Sequence, residues 1–339
     1  MPSRELHSRS PTDSGTSIEA RLQGSTSITL ESTKSAGQAI TVERTRRKRP
    51  PISEWLLFLL FIAPNFILFG VFTYWPMIQT AYLSGVRWDM ISPTKRWVGA
   101  DNYRYLWNDD TFRQVLVNSF WFAIGAVGGS LLLGLSIALL LNQKLRFRNF
   151  ARASVFMPTL LSGAAIGIVW VYIFDPRYGI IAGFLKVFGV SSPAWLGEPK
   201  WALPAVIIVY IWKNVGLATV IFLAGLQGIP RDLYEAATVD GAGRLSKFRA
   251  VTLPMLSPIM FFVVVTSILN SFQAFDIINV MTRGGPVDAT NILVYYIYQQ
   301  GFVAFNAGRA GAASMVLFVI MLGITLMQLR FSERKVHYG

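Results

Sequence analysis

The chain alternates between long stretches without charge and short stretches that carry most of it. Uncharged apolar runs cover Trp55–Val86, Val115–Leu141 and Ala153–Phe174. Trp201–Pro230 is interrupted only by Lys213, Met255–Thr282 only by Asp276, and a last run follows Arg309 and ends near Leu329. About 20 apolar residues span a bilayer. The pattern therefore predicts an all-α polytopic membrane protein, with six transmembrane helices in a domain over 51–339. Asn291–Phe305 is also uncharged, but Gln299, Gln300 and Asn306 make it a poor crossing. Tyr295, Tyr296 and Tyr298 beside polar neighbours suit a membrane interface, so a short interfacial helix is expected there. Pro64 predicts a kink in the first helix. Gly125 and Gly129 form a G-x-x-x-G in the second. That spacing either marks a close helix approach or reflects the general abundance of glycine in membrane helices.

Composition agrees. Hydrophobic residues make up 53% of the 339 and charged residues 14%, against about 25% charged in soluble domains. This excludes a soluble globular domain, a coiled coil or a disordered chain as a description of the whole. Cysteine is absent, which rules out disulfides, iron–sulfur clusters and a thiolate nucleophile. The two histidines, His7 and His337, fall in the two tails, so no metal site is expected.

Residues 1–43 are rich in Ser, Thr and Gly without apolar periodicity. They read as the main part of a disordered, basic-ended tail over 1–50. An organelle transit peptide is the rival, but such peptides are poor in acids, and Glu5, Asp13, Glu19, Glu31 and Glu43 stand here. No apolar core lies near Met1, so no secretory signal is expected. The block Arg44-Thr45-Arg46-Arg47-Lys48-Arg49 precedes the first run. It reads as a topology anchor, with a lipid-binding or nuclear signal as alternatives.

The net charge of +13 has the same explanation. Basic residues in short loops stay cytoplasmic, and no basic module interleaved with aromatics signals a nucleic-acid partner. With the amino terminus inside, the inner segments hold sixteen Lys and Arg and the outer segments nine. Both termini are therefore expected in the cytoplasm. The discordant outer segment, 87–114, mixes five basic residues with Asp89, Asp101, Asp109 and Asp110, as a small folded cap would.

The loop over 229–254 departs from this plain pattern. Pro230 can open a helix because its missing N–H costs nothing there. Leu233, Ala236, Ala237 and Asp240 then share one face, Gly241 can end the helix in a left-handed conformation, and Pro254 opens the next span. The result is a short amphipathic helix across the cytoplasmic face, which either rests on lipid or receives another protein's surface against its two alanines.

The spacing resembles the Glu-Ala-Ala signature of permease subunits of binding-protein-dependent ABC importers. Glu235, Ala236 and Ala237, three residues, Gly241, nine residues, then Val251, Leu253 and Pro254 follow that signature, with Val251 where the family usually has Ile. Val98-Gly99-Ala100-Asp101-Asn102-Tyr103, Leu223-Ala224-Gly225-Leu226-Gln227 and Thr282-Arg283-Gly284-Gly285-Pro286 are also similar to family segments. They fit the carbohydrate branch, which includes maltose and glycerol-3-phosphate permeases. The ending Arg330-Phe331-Ser332-Glu333-Arg334-Lys335-Val336-His337-Tyr338 looks most like the latter. The resemblance runs from about Trp55 to the end of the sequence.

It implies a type I importer permease fold in a prokaryotic inner or plasma membrane. It further implies a second, similar permease subunit, two ATPase subunits and an extracytoplasmic binding protein, in contact with membrane lipid. The loop would be a coupling helix, with Glu235 a polar contact to the ATPase, Ala236 and Ala237 its packing surface and Gly241 its turn. No G-x-x-x-x-G-K-[S/T] phosphate loop occurs in the sequence, so ATP and Mg are expected on the partner ATPase and no cofactor on this chain. The solute would be a sugar or polyol, such as glycerol-3-phosphate or a glycerophosphodiester.

Charges inside spans are costly and usually functional. Lys213 can snorkel, pair with Asp276, or line the translocation path. Asn270-Ser271-Phe272-Gln273-Ala274-Phe275-Asp276 offers amide, hydroxyl and aromatic groups. These suit either a polyol or helix–helix hydrogen bonding. The resembled family places substrate contacts in helices four and five, which nominates Lys213, Asn214, Ser271, Phe272, Gln273 and Asp276 as path residues. Two rival classes find less support. An ion-coupled secondary transporter would need intramembrane carboxylates or an internal repeat, and only Asp276 stands inside a span. An intramembrane enzyme would need clustered acids near an interface, and Asp232, Glu235 and Asp240 already belong to the loop motif.

Overall fold

The first apolar run forms α1 (Ile52–Phe69), a π-turn at Gly70–Tyr74 and α2 (Trp75–Ser84). The computed structural model describes residues 52–143 and 146–335, so the tail over 1–50, its basic block and His337 lie outside the described residues. Phe66, Ile67 and Phe72 are exposed, as lipid-facing side chains would be. From Ala63 onward the chain forms one compact unit.

The segment over 87–114 is a folded cap. Val86–Arg87 (β1) pairs antiparallel with Arg96–Trp97 (β2), and α3 (Asp101–Asn108) follows. Asn102 is buried and donates from Nδ2 to the carbonyls of Ser84 (2.8 Å) and Val86 (2.9 Å), stitching the cap to the end of α2. Asp89 accepts from the Ser92 amide (2.8 Å) and hydroxyl (2.7 Å), which holds its carboxyl below the usual carboxylate range. The ion pairs Arg104–Asp101 and Arg113–Asp110 are exposed and contribute little.

Asp109 caps α4 (Asp110–Leu141) by accepting from the Thr111 amide. At 1.5 Å per residue this helix is about 48 Å long. Three buried clusters are stacked along it. Phe112 and Val115 pack with Tyr296 and Ala312 near the cap. Phe122 and Ala126 pack with Val206 and Ile278 at mid-height. Ala138 and Leu141 pack with Phe222 and Leu256 at the far end. Ile207 and Ile211 lie where side chains on Gly125 and Gly129 would stand, so the G-x-x-x-G is a contact face for the fourth span.

The third run is not one straight helix. It divides into α5 (Arg148–Leu160) and α6 (Gly163–Ile173), bent by 103°. Leu161 and Ser162 are extended, and the Ser162 hydroxyl caps α6 through the Ala165 amide (3.2 Å). A short helix, α7 (Ile180–Val187), leads to α8 (Pro199–Gly228). After α8 come α9 (Arg231–Val239) and α10 (Arg244–Lys247). A π-turn at Phe248–Thr252 then enters α11 (Leu253–Ser271).

The fifth run also breaks. Phe272–Ala274 interrupts it, and α12 (Phe275–Met281) continues. The two interrupted runs meet: a side chain on Gly163 would touch the Asp276 Cβ (2.9 Å) and one on Gly167 the Val280 Cγ1 (3.1 Å). By length and apolarity, five described helices can cross a membrane, and six crossings result if the bent pair counts as one.

The segment expected at the membrane interface is α13 (Leu293–Tyr298), followed by a π-turn at Gln299–Val303. Two of its three tyrosines pack inside the protein. Tyr295 and Tyr296 are buried, and the Tyr296 hydroxyl donates to Asp109 Oδ2 (3.3 Å). The last helix is α14 (Ala307–Lys335).

Candidate functional site

Two regions carry the chemistry that the sequence nominated. The first is the loop over 229–254. Pro230 precedes α9 with an extended ψ of 137°, and Asp232 lies in the helix's first turn. The helix ends at Asp240. Gly241 has φ +76°, its amide donates to the Thr238 carbonyl (3.0 Å), and the Ala242 amide donates to the Ala237 carbonyl (2.9 Å). This pair of reverse bonds is a Schellman stop, which needs a left-handed residue at Gly241.

α9 shows a bare outer face. Arg231, Asp232, Leu233, Glu235, Ala236, Val239, Asp240 and Gly241 are exposed, and Val239 retains 88% of its accessible surface. Ala237 is half-buried: it packs inward with Tyr234 against the cluster of Leu226, Ile229, Val251 and Leu256. Leu253 is half-buried and Pro254 exposed at the start of α11. The predicted shared face is therefore divided, with Leu233, Ala236 and Asp240 free and Ala237 at its inner margin.

The second region is a cleft between α4, α8 and α11. It is lined by Ser130, Tyr210, Asn214, Thr266, Ser267 and Asn270 among apolar neighbours and encloses a small cavity of about 20 Å³. The Asn214 amide donates to the Tyr210 carbonyl (2.8 Å) and the Thr266 hydroxyl to the Phe262 carbonyl (2.9 Å), so both side chains are held in place. The cleft brings hydroxyl and amide groups together on an apolar wall.

Of the six nominated path residues, only Asn214 lines this cleft. Lys213 is half-buried where α5 crosses α8, and its carbonyl accepts from the Thr159 hydroxyl (3.1 Å). Lys213 and Asp276 do not form an ion pair; among the described residues the ion pairs are those of the cap. Asp276 stands exposed in the first turn of α12, beyond the end of the span helix rather than inside it. Ser271 is buried, with its hydroxyl donating to the Ile268 carbonyl (2.8 Å), so it serves the helix and not the cleft. Phe272 is half-buried and Gln273 exposed, both in the break.

Residue-by-residue reading missed Ser130, Tyr210, Thr266 and Ser267. A signal for the last two existed: Thr266, Ser267 and Asn270 recur at helical spacing along one face of α11.

Residues 130–335 match the family described as binding-protein-dependent transport system inner membrane component. The chain is 34% identical to the sn-glycerol-3-phosphate transport system permease protein UgpA of Agrobacterium fabrum, over 83% of this chain and 96% of that protein. The corresponding protein of Pectobacterium atrosepticum is 32% identical, over 84% and 97%. Among solved structures, a chain of a bacterial alginate ABC transporter, crystallised with an alginate pentasaccharide-bound periplasmic protein, is similar. It shows 25% identity and a TM-score of 0.73, covering 85% of this chain and 97% of that one. The chain belongs to the inner membrane components of binding-protein-dependent transport systems: it is a permease subunit of an ABC importer, not an enzyme.

Proposed function

We propose that this permease carries a sugar or polyol-type solute, such as glycerol-3-phosphate or a glycerophosphodiester, across a prokaryotic inner or plasma membrane. It would form half of a pore with a second, homologous permease. A binding protein would deliver the solute from outside, and two ATPase subunits, holding ATP and Mg, would drive the cycle from the cytoplasm. Both termini lie in the cytoplasm in this reading, which places α9 on the ATPase side.

The observation that carries the coupling assignment is α9 itself. A helix bearing Glu235, Ala236 and Ala237 packs on the bundle through Tyr234 and Ala237 and leaves Glu235 and Ala236 uncovered, with its end fixed by Gly241. An exposed alanine beside a carboxylate suits a protein cleft. ATP binding would close the ATPase dimer, move α9 and shift the bundle between outward- and inward-open states.

Two relatives named for sn-glycerol-3-phosphate and one transporter named for alginate support a polyhydroxylated solute. The cleft of Tyr210, Asn214, Thr266, Ser267 and Asn270 is the place in this chain with matching groups. Lys213, Phe272, Gln273 and Asp276 would flank the route.

The test is uptake by the whole transporter in proteoliposomes. Gly241→Asp puts a side chain on a backbone at φ +76° and adds charge at the ATPase face. The variant is expected to insert and assemble but to lose ATP-driven uptake. Normal uptake by it would overturn the coupling assignment.

A further inference from the structure

α9 is attached to the following span at one buried polar point. The Tyr234 hydroxyl and Thr252 Oγ1 share a hydrogen bond of 3.1 Å. Thr252 is 4% exposed. The other polar link, Lys247 Nζ donating to the Thr238 hydroxyl (2.8 Å), is exposed and open to screening.

Thr252 occupies a special position. It is the last residue of the π-turn Phe248–Thr252, in which the Leu253 amide reaches back to the Phe248 carbonyl. The reason lies in the sequence. Pro254 brings no N–H, and its ring would strike the carbonyl four residues earlier in a regular helix. Widening the preceding turn relieves that clash. The same arrangement stands before Pro76, where the π-turn Gly70–Tyr74 ends two residues ahead of the proline. Only the turn at 248–252 is tied to a second helix through a side-chain hydroxyl among the described hydrogen bonds. A π-turn beside a proline has fewer regular backbone bonds to break, so it is a natural place for a helix to bend.

We propose that Tyr234 and Thr252 form the joint through which α9 moves the fifth span. Tyr234 is a positioning residue: its ring packs on the cluster of Val251 and Leu256, and its hydroxyl fixes the register of α9 against the π-turn. A displacement of α9 by the ATPase then pulls on Thr252 at the point where α11 bends most easily. The proposal rests on the coupling reading above and adds the path of transmission to it.

The test uses the assembled transporter in proteoliposomes and reads solute moved per ATP hydrolysed. Tyr234→Phe and Thr252→Val each remove the bond. Each is expected to keep its ATPase subunits and to hydrolyse ATP within about twofold of wild type, while solute per ATP falls about fivefold, the scale of one hydrogen bond of ordinary net strength. The double variant is expected to fall no further, because both changes remove one shared bond. Thr252→Ser keeps the hydroxyl and is expected to retain the wild-type ratio.

An unchanged ratio in Tyr234→Phe would overturn the joint. So would losses that multiply in the double variant, or ATPase subunits lost from the Tyr234→Phe complex, which would make Tyr234 a docking residue. Tyr234→Phe and Thr252→Ser decide the matter if Thr252→Val does not assemble. Failure of the coupling reading looks different: no ATPase subunit accompanies the wild-type chain, or Gly241→Asp transports normally.

Discussion

Asn214 and Asn270 face one cleft from two helices, with Tyr210 and Thr266 beside them. Each amide can bond one hydroxyl of a bound solute. Asn214→Ala or Asn270→Ala is expected to lower uptake about fivefold per lost bond while leaving assembly intact, checked by transport kinetics against co-purification of the partner subunits. Wild-type kinetics in both would move the solute route elsewhere. Asn214 was legible because it adjoins the charged Lys213 inside an apolar run. Ser271, nominated for its hydroxyl in the polar and aromatic stretch of the fifth run, belongs to the helix, since a serine can return its hydroxyl to a carbonyl one turn back. A polar residue in a span is therefore readable from sequence, but not whether its polar atoms are already used. Asn118 shows the converse. It stands in the uncharged second run and donates from Nδ2 to the carbonyls of Asp288 (2.7 Å) and Asn291 (3.0 Å), a tether whose partners lie too far along the chain to anticipate.

Elements were legible where apolarity and direction coincide. The second, fourth and sixth runs are long helices, as their hydropathy predicts. The third bends by 103° and the fifth is interrupted at Phe272–Ala274, because hydropathy reports what a segment prefers to touch and not where it points. The break signals were local: Pro158 without an N–H, then Ser162 as a cap before Gly163. α13 is the short, non-spanning helix its polar residues predict, and two of its tyrosines are buried. Where α5 crosses α8, Gly216 admits no side chain; a Cβ there would lie 2.9 Å from the Phe156 Cα and 2.9 Å from Thr159 Oγ1, and still closer to the Val155 carbonyl. Gly216→Ala is expected to cost about 1–3 kcal/mol through overpacking, seen as a lower unfolding midpoint of the detergent-solubilised transporter. Gly183→Ala in α7, with open space around it, is the matched control and is expected to leave the midpoint within about 0.5 kcal/mol of wild type.

At the scale of the molecule, a bundle of apolar helices carries α9 with its polar and alanine-bearing outer face uncovered. Burial is continuous along α4 through three clusters, yet Glu235, Ala236 and Val239 on α9 remain open. That openness is the physical content of the claim that the motor is a separate subunit docked there. The spacing of the loop made it visible in the sequence, because the start, face and stop of α9 are all set by residues within one short segment. The expected sidedness rests on a charge bias alone, against which the five basic residues of the cap over 87–114 count. The sequence contains no cysteine, so a single introduced thiol reports without further changes. The most direct measurement is cross-linking from Ala236→Cys in the intact transporter, combined with an impermeant thiol reagent applied to right-side-out vesicles. A product joining this chain to the ATPase subunit, with no labelling from outside, is the predicted result. Labelling from outside, with no ATPase product, would contradict the account.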